Sequence, residues 1–177
     1  FGMLFYRKDV LSELEMEVPK TWTEVYDCIV KLNMNGLYFG ITDVFGTLLY
    51  QNGGSYYNED GSASALDSAL SISCFKQYTE FFTSYGCLVT FDFSNRFRTG
   101  EMPLGLADYT AYNQLSVFAP EIKGLWGFTD IPGIEKEDGT IDHTALSAGS
   151  ASIIISNAKD PEAAWDFLSW WTSTDTQ

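Results

Sequence analysis

Apolar residues between positions 22 and 34 recur at helical spacing, with Trp22, Val25, Tyr26, Ile29 and Leu32 on one side. Thr21 stands where its hydroxyl can cap this helix, and Glu24, three residues on, can return the bond in a capping box. Asn35-Gly36 supplies the stop, and residues 37–41 then read as a strand, as do residues 1–6 at the start of the chain. Leu70, Cys74, Tyr78 and Phe81 or Phe82 predict a second amphipathic helix over 67–85, ended by Gly86. Between these helices, Gln51-Asn52-Gly53-Gly54 and Asn58-Glu59-Asp60-Gly61 bracket Tyr56-Tyr57 in a hairpin or a tight loop pair.

A short helix closing on Gly100 follows, and then a strand over 102–107 that carries Asp108-Tyr109-Thr110-Ala111-Tyr112 at its C-terminal end. Ligands of open α/β sheets bind at that end of a strand. Residues 125–131 read as a strand ending in Pro132-Gly133, Glu137-Asp138-Gly139-Thr140 as a hairpin turn, and 151–155 as another strand. Asp160-Pro161-Glu162 combines a cap, a proline at the first helical position and an acid in the first turn. The helix it starts should run to Trp171 and bury Ala164, Trp165, Leu168 and Trp171. The alternation predicts an α/β protein with a small mixed sheet covered by helices.

Composition narrows the partners. Ten basic residues against twenty-four acidic ones give a net charge of -14, which repels phosphate backbones and anionic lipid headgroups. Nucleic acid is therefore not expected. No apolar stretch approaches the roughly 20 residues that cross a bilayer, and no segment has the form of a signal peptide. The abrupt start at Phe1 and the stop soon after Trp171 predict a piece of a longer parent, so the lack of an anchor here leaves the compartment open. Cys28, Cys74 and Cys87 are widely spaced and only His143 could complete a metal site, so no metal is expected; the cysteines read as core residues, with a disulfide left open. Asn58, Asp60 and Ser62 resemble the opening of a calcium loop, but Ala69 stands where the bidentate acid belongs.

Motifs for the commoner chemistries are missing. There is no G-x-S-x-G, P-loop, G-x-G-x-x-G or H-E-x-x-H. A glycosidase needs only two carboxylates flanking a sugar, so that reading stays open. Aromatic residues reach 16%. Sugars stack their C–H faces on rings and offer hydroxyls to planar polar groups, and Asp108-Tyr109 fits that chemistry best. Its competitor is a strand-end Tyr packed on its own domain with Asp108 capping the next helix. Trp22, Trp165 and Trp171 lie on helix stripes and read as structural, while Trp126 is open to either role.

Five segments, in order, resemble the family 1 extracellular solute-binding proteins, the maltose-binding-protein-like group. Phe5-Tyr6-Arg7-Lys8-Asp9-Val10 is similar to its "Y-N-K-D-L" turn, and Val18-Pro19-Lys20-Thr21-Trp22-Thr23-Glu24 to "P-K-T-W-E-E". Gln51-Asn52-Gly53-Gly54 is similar to the "x-x-G-G" loop, and the run from Arg96 to Met102 to "F-x-x-G-x-x-A-M". The run from Asp160 to Leu168 is similar to "N-x-E-A-A-x-E-F-L".

The resemblance implies a periplasmic-binding-protein type II-like lobe, one of two joined by a hinge, that holds a sugar or oligosaccharide for the permease subunits of an ABC importer. It implies no catalysis and no cofactor, an extracellular or periplasmic setting, and membrane contact only through an anchor absent from this chain. Carried over residue by residue, it points to Tyr109 with Asp108 and Tyr112, to the backbone of Ser147, Ala148 and Gly149, and to Phe45 and Tyr50 as a third wall. It also implies that residues 1–122 form the body of the second lobe, that 123–177 cross the hinge to belong to or pack with the other, and that the N-terminal lobe is missing. Pro103 departs from the family pattern and leaves the register of Asp108 and Tyr109 open by about one residue. A receptor for another polar solute, or a lobe that has lost its ligand, remain alternatives.

Overall fold

Leu4 and Phe5 are both fully buried although they are adjacent on a strand, so the strand has protein on both faces. This strand, β1 (Gly2–Arg7), lies inside a four-stranded sheet of order β2-β3-β1-β4. It runs antiparallel to β3 (Leu104–Asp108) and to β4 (Trp126–Thr129), with Leu4 opposite Leu106 on one side and Thr129 on the other. The two-residue β2 (Phe39–Gly40) pairs parallel to β3, Phe39 opposite Leu104. The sheet is therefore mixed, as the alternation predicts. The computed structural model describes residues 2–146, 149 and 151–176.

Alternation along the strands sends Leu4, Leu104 and Leu106 to one face, beneath α2 (Trp22–Met34), α3 (Phe45–Gln51) and α4 (Ala69–Thr83). Trp22, Val25, Ile29 and Leu32 face inward from α2 as their spacing requires, and the capping box of Thr21 and Glu24 is formed in full. Phe5 points to the other face, under α5 (Phe93–Thr99) and α6 (Thr110–Phe118), where it meets Phe97, Ala111 and Leu115. Gly40 and Gly105 are adjacent across β2 and β3, which lets Phe93 approach the sheet closely: a Cβ on Gly105 would sit 2.6 Å from its ring and 3.0 Å from the Gly40 Cα.

At the end of β1 the buried Arg7 forks onto Asp9 in the short α1 (Lys8–Glu13) and donates a third group to the carbonyls of Phe97 and Arg98. The hairpin turn at 137–140 joins β5 (Ile134–Glu135) to β6 (Ile141–Asp142), and Tyr57 and Ser64 form an isolated antiparallel bridge. All three cysteines are free, and burial pushes the Cys28 and Cys87 thiols up to about 11.

The chain divides into two units, residues 1–147 and 148–177. Residues 126–129 hydrogen-bond to β1 within the first unit. In the second unit the strand expected over 151–155 is not formed: these residues pair with no neighbour among the described residues, and Ile153 is 80% exposed. Helix α7 (Pro161–Trp171) forms with Asp160 capping the Ala163 amide, but its expected buried stripe does not hold, since Trp165 and Trp171 are both more than half exposed.

Candidate functional site

Strand β3 ends at Asp108, and α6 begins two residues later. Tyr109 occupies the N-cap position with no side-chain cap bond, so Asp108 does not cap α6 and its carboxylate is exposed beside the helix start. Pro103 leaves the ladder intact: Gly2 pairs with Asp108 and Tyr6 with Leu104.

The ring of Tyr109 lies parallel to that of Tyr112, at 5.7 Å and 3°. Phe128 of β4 meets both rings edge-on at 5.7 and 5.6 Å, and Trp126 meets Tyr112 at 5.8 Å. Trp126 and Phe128 are two apart on one strand and so share a face, which packs against the Phe5 cluster. Tyr109 and Tyr112 keep 41% and 39% of their surface exposed. The result is a ledge of aromatic rings open to solvent, with a carboxylate at one end.

Two hollows flank α6. On one side a cleft of about 510 Å³ lies at the C-terminal ends of β2 and β3, lined among others by Thr42, Phe93, Asp108, Thr110 and Gln114. On the other side a groove of about 620 Å³ is lined by Tyr112, Ser116, Lys123, Trp126 and Phe128. Residues 108, 110, 111 and 114 border the first, and 112, 115, 116 and 119 the second, while Ala111 and Leu115 press the helix onto the sheet. Asp108 thus opens into the polar cleft and Tyr112 into the aromatic groove.

Phe45 and Tyr50 stand elsewhere. They belong to α3, on the opposite face of the sheet, and meet Tyr56 edge-on at 6.1 and 5.8 Å. Burial, and after it the nearby Asp43 and Tyr50, push the Tyr56 hydroxyl above its ordinary value. Of the loop residues, Gly149 is exposed with open space around it, whereas Ser147 and Ala148 lie outside the described residues. Sequence reasoning left Trp126 undecided and did not single out Phe128. The signal that could have found both is their period of two on a strand that has to pack against β1.

Among the described residues no group of three His, Cys, Asp or Glu is gathered to hold a metal ion, and His143 directs Nδ1 to the Ile131 carbonyl at 2.7 Å. A mixed sheet sheathed by helices, whose parallel pair ends in a polar cleft beside exposed rings, is a lobe of the α/β class. The chain belongs to the bacterial extracellular solute-binding protein family, whose model matches residues 1–177.

Its fold is similar to that of an ABC transporter solute-binding protein from Thermotoga lettingae solved with alpha-D-tagatose, at 22% identity and a TM-score of 0.74, covering 99% of this chain and 48% of that one. The sugar-binding protein MalE of Xanthomonas citri aligns at 18% identity and 0.68, over 97% of this chain and 46% of that one. The GacH receptor of Streptomyces glaucescens, solved unliganded and with acarbose, aligns at 16% identity and 0.67, over 99% and 47%. The chain spans about half the length of these relatives. No curated protein sequence matches it.

Proposed function

We propose that this chain is part of a receptor that binds a carbohydrate outside the cytoplasmic membrane and hands it, unchanged, to the permease subunits of an ABC importer. The observation that carries the reading is the parallel pair Tyr109 and Tyr112, nearly half exposed, beside the Asp108 carboxylate at the end of β3. Rings of this kind take the apolar face of a sugar, and a carboxylate takes its hydroxyls. Membership of an extracellular solute-binding family, and fold relatives solved with tagatose and acarbose, support sugar over other solutes. In this reading the receptor works at the cell surface or in the periplasm, needs no cofactor, and meets the membrane only through an anchor outside residues 1–177.

Asp108, Tyr109 and Tyr112 form the principal wall. The rings of Phe45 and Tyr50 supply a further wall, and a second lobe closing over the sugar reports the loaded state. In this reading residues 1–122 form the body of the second lobe, and 123–177 cross the hinge to belong to or pack with the other.

The test is titration of the complete protein with a panel of mono- and oligosaccharides, followed by tryptophan fluorescence. Saturable binding is expected, weakened about tenfold or more by Tyr109→Ala, since a ring stack is worth about 0.5–1.5 kcal/mol beyond its buried area. Silence toward every sugar would remove the reading. Release of new reducing ends, abolished by replacing a single carboxylate, would replace it with a glycosidase.

A further inference from the structure

Charge is unevenly distributed around α6. The cleft of about 510 Å³ at the ends of β2 and β3 carries two carboxylates, Asp92 and Asp108, and no lysine or arginine among its lining residues. Its other polar side chains, Thr42, Thr90 and Gln114 among them, are neutral. The arginines of the neighbouring elements are engaged elsewhere. Arg98 opens into the hollow between α5 and α6 and pairs with Glu121 at 3.4 Å, Arg96 pairs with Glu101, and Arg7 with Asp9.

The two carboxylates differ in how far their charge is answered. Asp92 caps α5, accepting from the Asn95 amide at 3.1 Å and from its side-chain Nδ2 at 2.6 Å. Asp108 is exposed, and its carboxylate has neither a hydrogen-bond nor an ion-pair partner among the described residues. It stands beside the start of α6, whose dipole offers about half a positive charge. Roughly half of its negative charge is therefore left over at the mouth of the cleft.

That remainder discriminates between sugars of one shape. The carboxylate of a uronic acid brought within about 4 Å of Asp108 meets a repulsion that weakens binding roughly fivefold in water, and more where a closing lobe excludes water. A charge left unpaired in this way rejects a close analogue while admitting its parent. A protonated amine in the same place instead donates a charge-assisted hydrogen bond, about twice as strong as one from a hydroxyl.

We infer that Asp108 sets the charge selectivity of this cleft: it admits neutral sugars, holds amino sugars more tightly, and rejects acidic ones. The inference rests on the carbohydrate reading given above and narrows it to a class of sugar.

The order of affinities tests it. The complete protein is titrated at about pH 6, where an amine is protonated and a carboxylate ionised. The ligands are glucose, glucosamine and glucuronate, and the same three forms of any other sugar that binds in the panel. The acid should bind about tenfold or more weaker than its neutral parent, and the amino form a few times tighter. Asp108→Asn, which breaks no bond to a described residue, should bring the three forms within about threefold of one another, whatever it does to their common affinity; Asp108→Glu should keep the order. In the unaltered protein the spread should shrink as salt is raised. Equal affinity for acid and parent, an order that survives Asp108→Asn, or a spread indifferent to salt overturns the inference while the carbohydrate reading stands. Failure of all forms of every sugar to bind removes that reading, and the inference with it.

Discussion

Tyr109 and Tyr112 hold their rings parallel at 5.7 Å, and both stand edge-on to Phe128, so three rings from two elements fix one another's orientation. A ring held this way loses little freedom when a ligand settles on it, which favours affinity.

Tyr112 acts in this arrangement through its ring rather than its hydroxyl. Tyr112→Phe should leave sugar affinity within about twofold, whereas Tyr112→Ala should weaken it about tenfold by removing the support of Tyr109. Isothermal titration of both variants decides; equal losses would mean that the hydroxyl is what matters.

Asp9 makes a pH-dependent contribution to stability. Its side-chain bonds to Arg7, at 2.9 and 2.7 Å, hold its carboxyl below the ordinary value of 3.8. A lowered folded-state value means that the stabilisation is present above pH 3.8 and is lost as pH falls through the folded value. Asp9→Asn should cost about 2 kcal/mol at pH 7, because it leaves the buried Arg7 charge without its partner. Urea titrations at several pH values should show the gap to the parent protein narrowing below pH 3.8. A gap independent of pH would mean that packing, not charge, is lost.

Gly105 tests how Phe93, which lines the polar cleft, packs on the sheet. A Cβ there would press into Phe93 and the Gly40 backbone, so Gly105→Ala should destabilise by about 1–3 kcal/mol through overpacking. Gly2→Ala, whose Cβ would meet only Ile131 at 3.7 Å, should stay within about 0.5 kcal/mol. Thermal unfolding of the pair separates strain at one site from a general intolerance of the strands to a side chain.

What the sequence disclosed follows from how each element announces itself. Helix α2 has a capping box, an amphipathic stripe and a glycine after its end, and it forms over 22–34 as predicted. Helix α3 shares only the last, Gly53 at φ 78° after its end. Gly46, Thr47, Leu48, Leu49 and Gln51 are all buried, so no polar face marks a period, and Val44 makes no cap bond. Residues 151–155 carry strand-forming side chains, but a strand exists only with a partner, and these residues have none among the described residues. The candidate site divides in the same way. Asp108, Tyr109 and Tyr112 are contiguous enough to be read together, but Trp126 and Phe128 join them only because β4 pairs with β1, a long-range choice that local pattern does not encode.

Gln51 shows how one buried polar side chain ties distant segments together. Its Oε1 accepts from Trp22 Nε1 at 2.7 Å, and its Nε2 donates to the carbonyls of Pro132 and Thr144, each at 3.0 Å. The chain on either side of the β5–β6 hairpin is thereby fastened to α3, and further along Thr47 Oγ1 accepts from the Leu146 amide. Gln51→Leu keeps the bulk but strands the buried Trp22 Nε1 and Pro132 carbonyl, and frees the more exposed Thr144 carbonyl, so it should cost about 2–4 kcal/mol. Gln51→Glu keeps the acceptor for Trp22 but faces both carbonyls with oxygen, and it should cost at least as much near neutral pH. Hydrogen exchange locates the damage: protection should fall across 130–146 while the amides of β1 and β3 keep theirs, since the sheet is bonded independently of Gln51. Uniform loss of protection through the whole first unit would show instead that the 130–146 segment unfolds only together with the sheet.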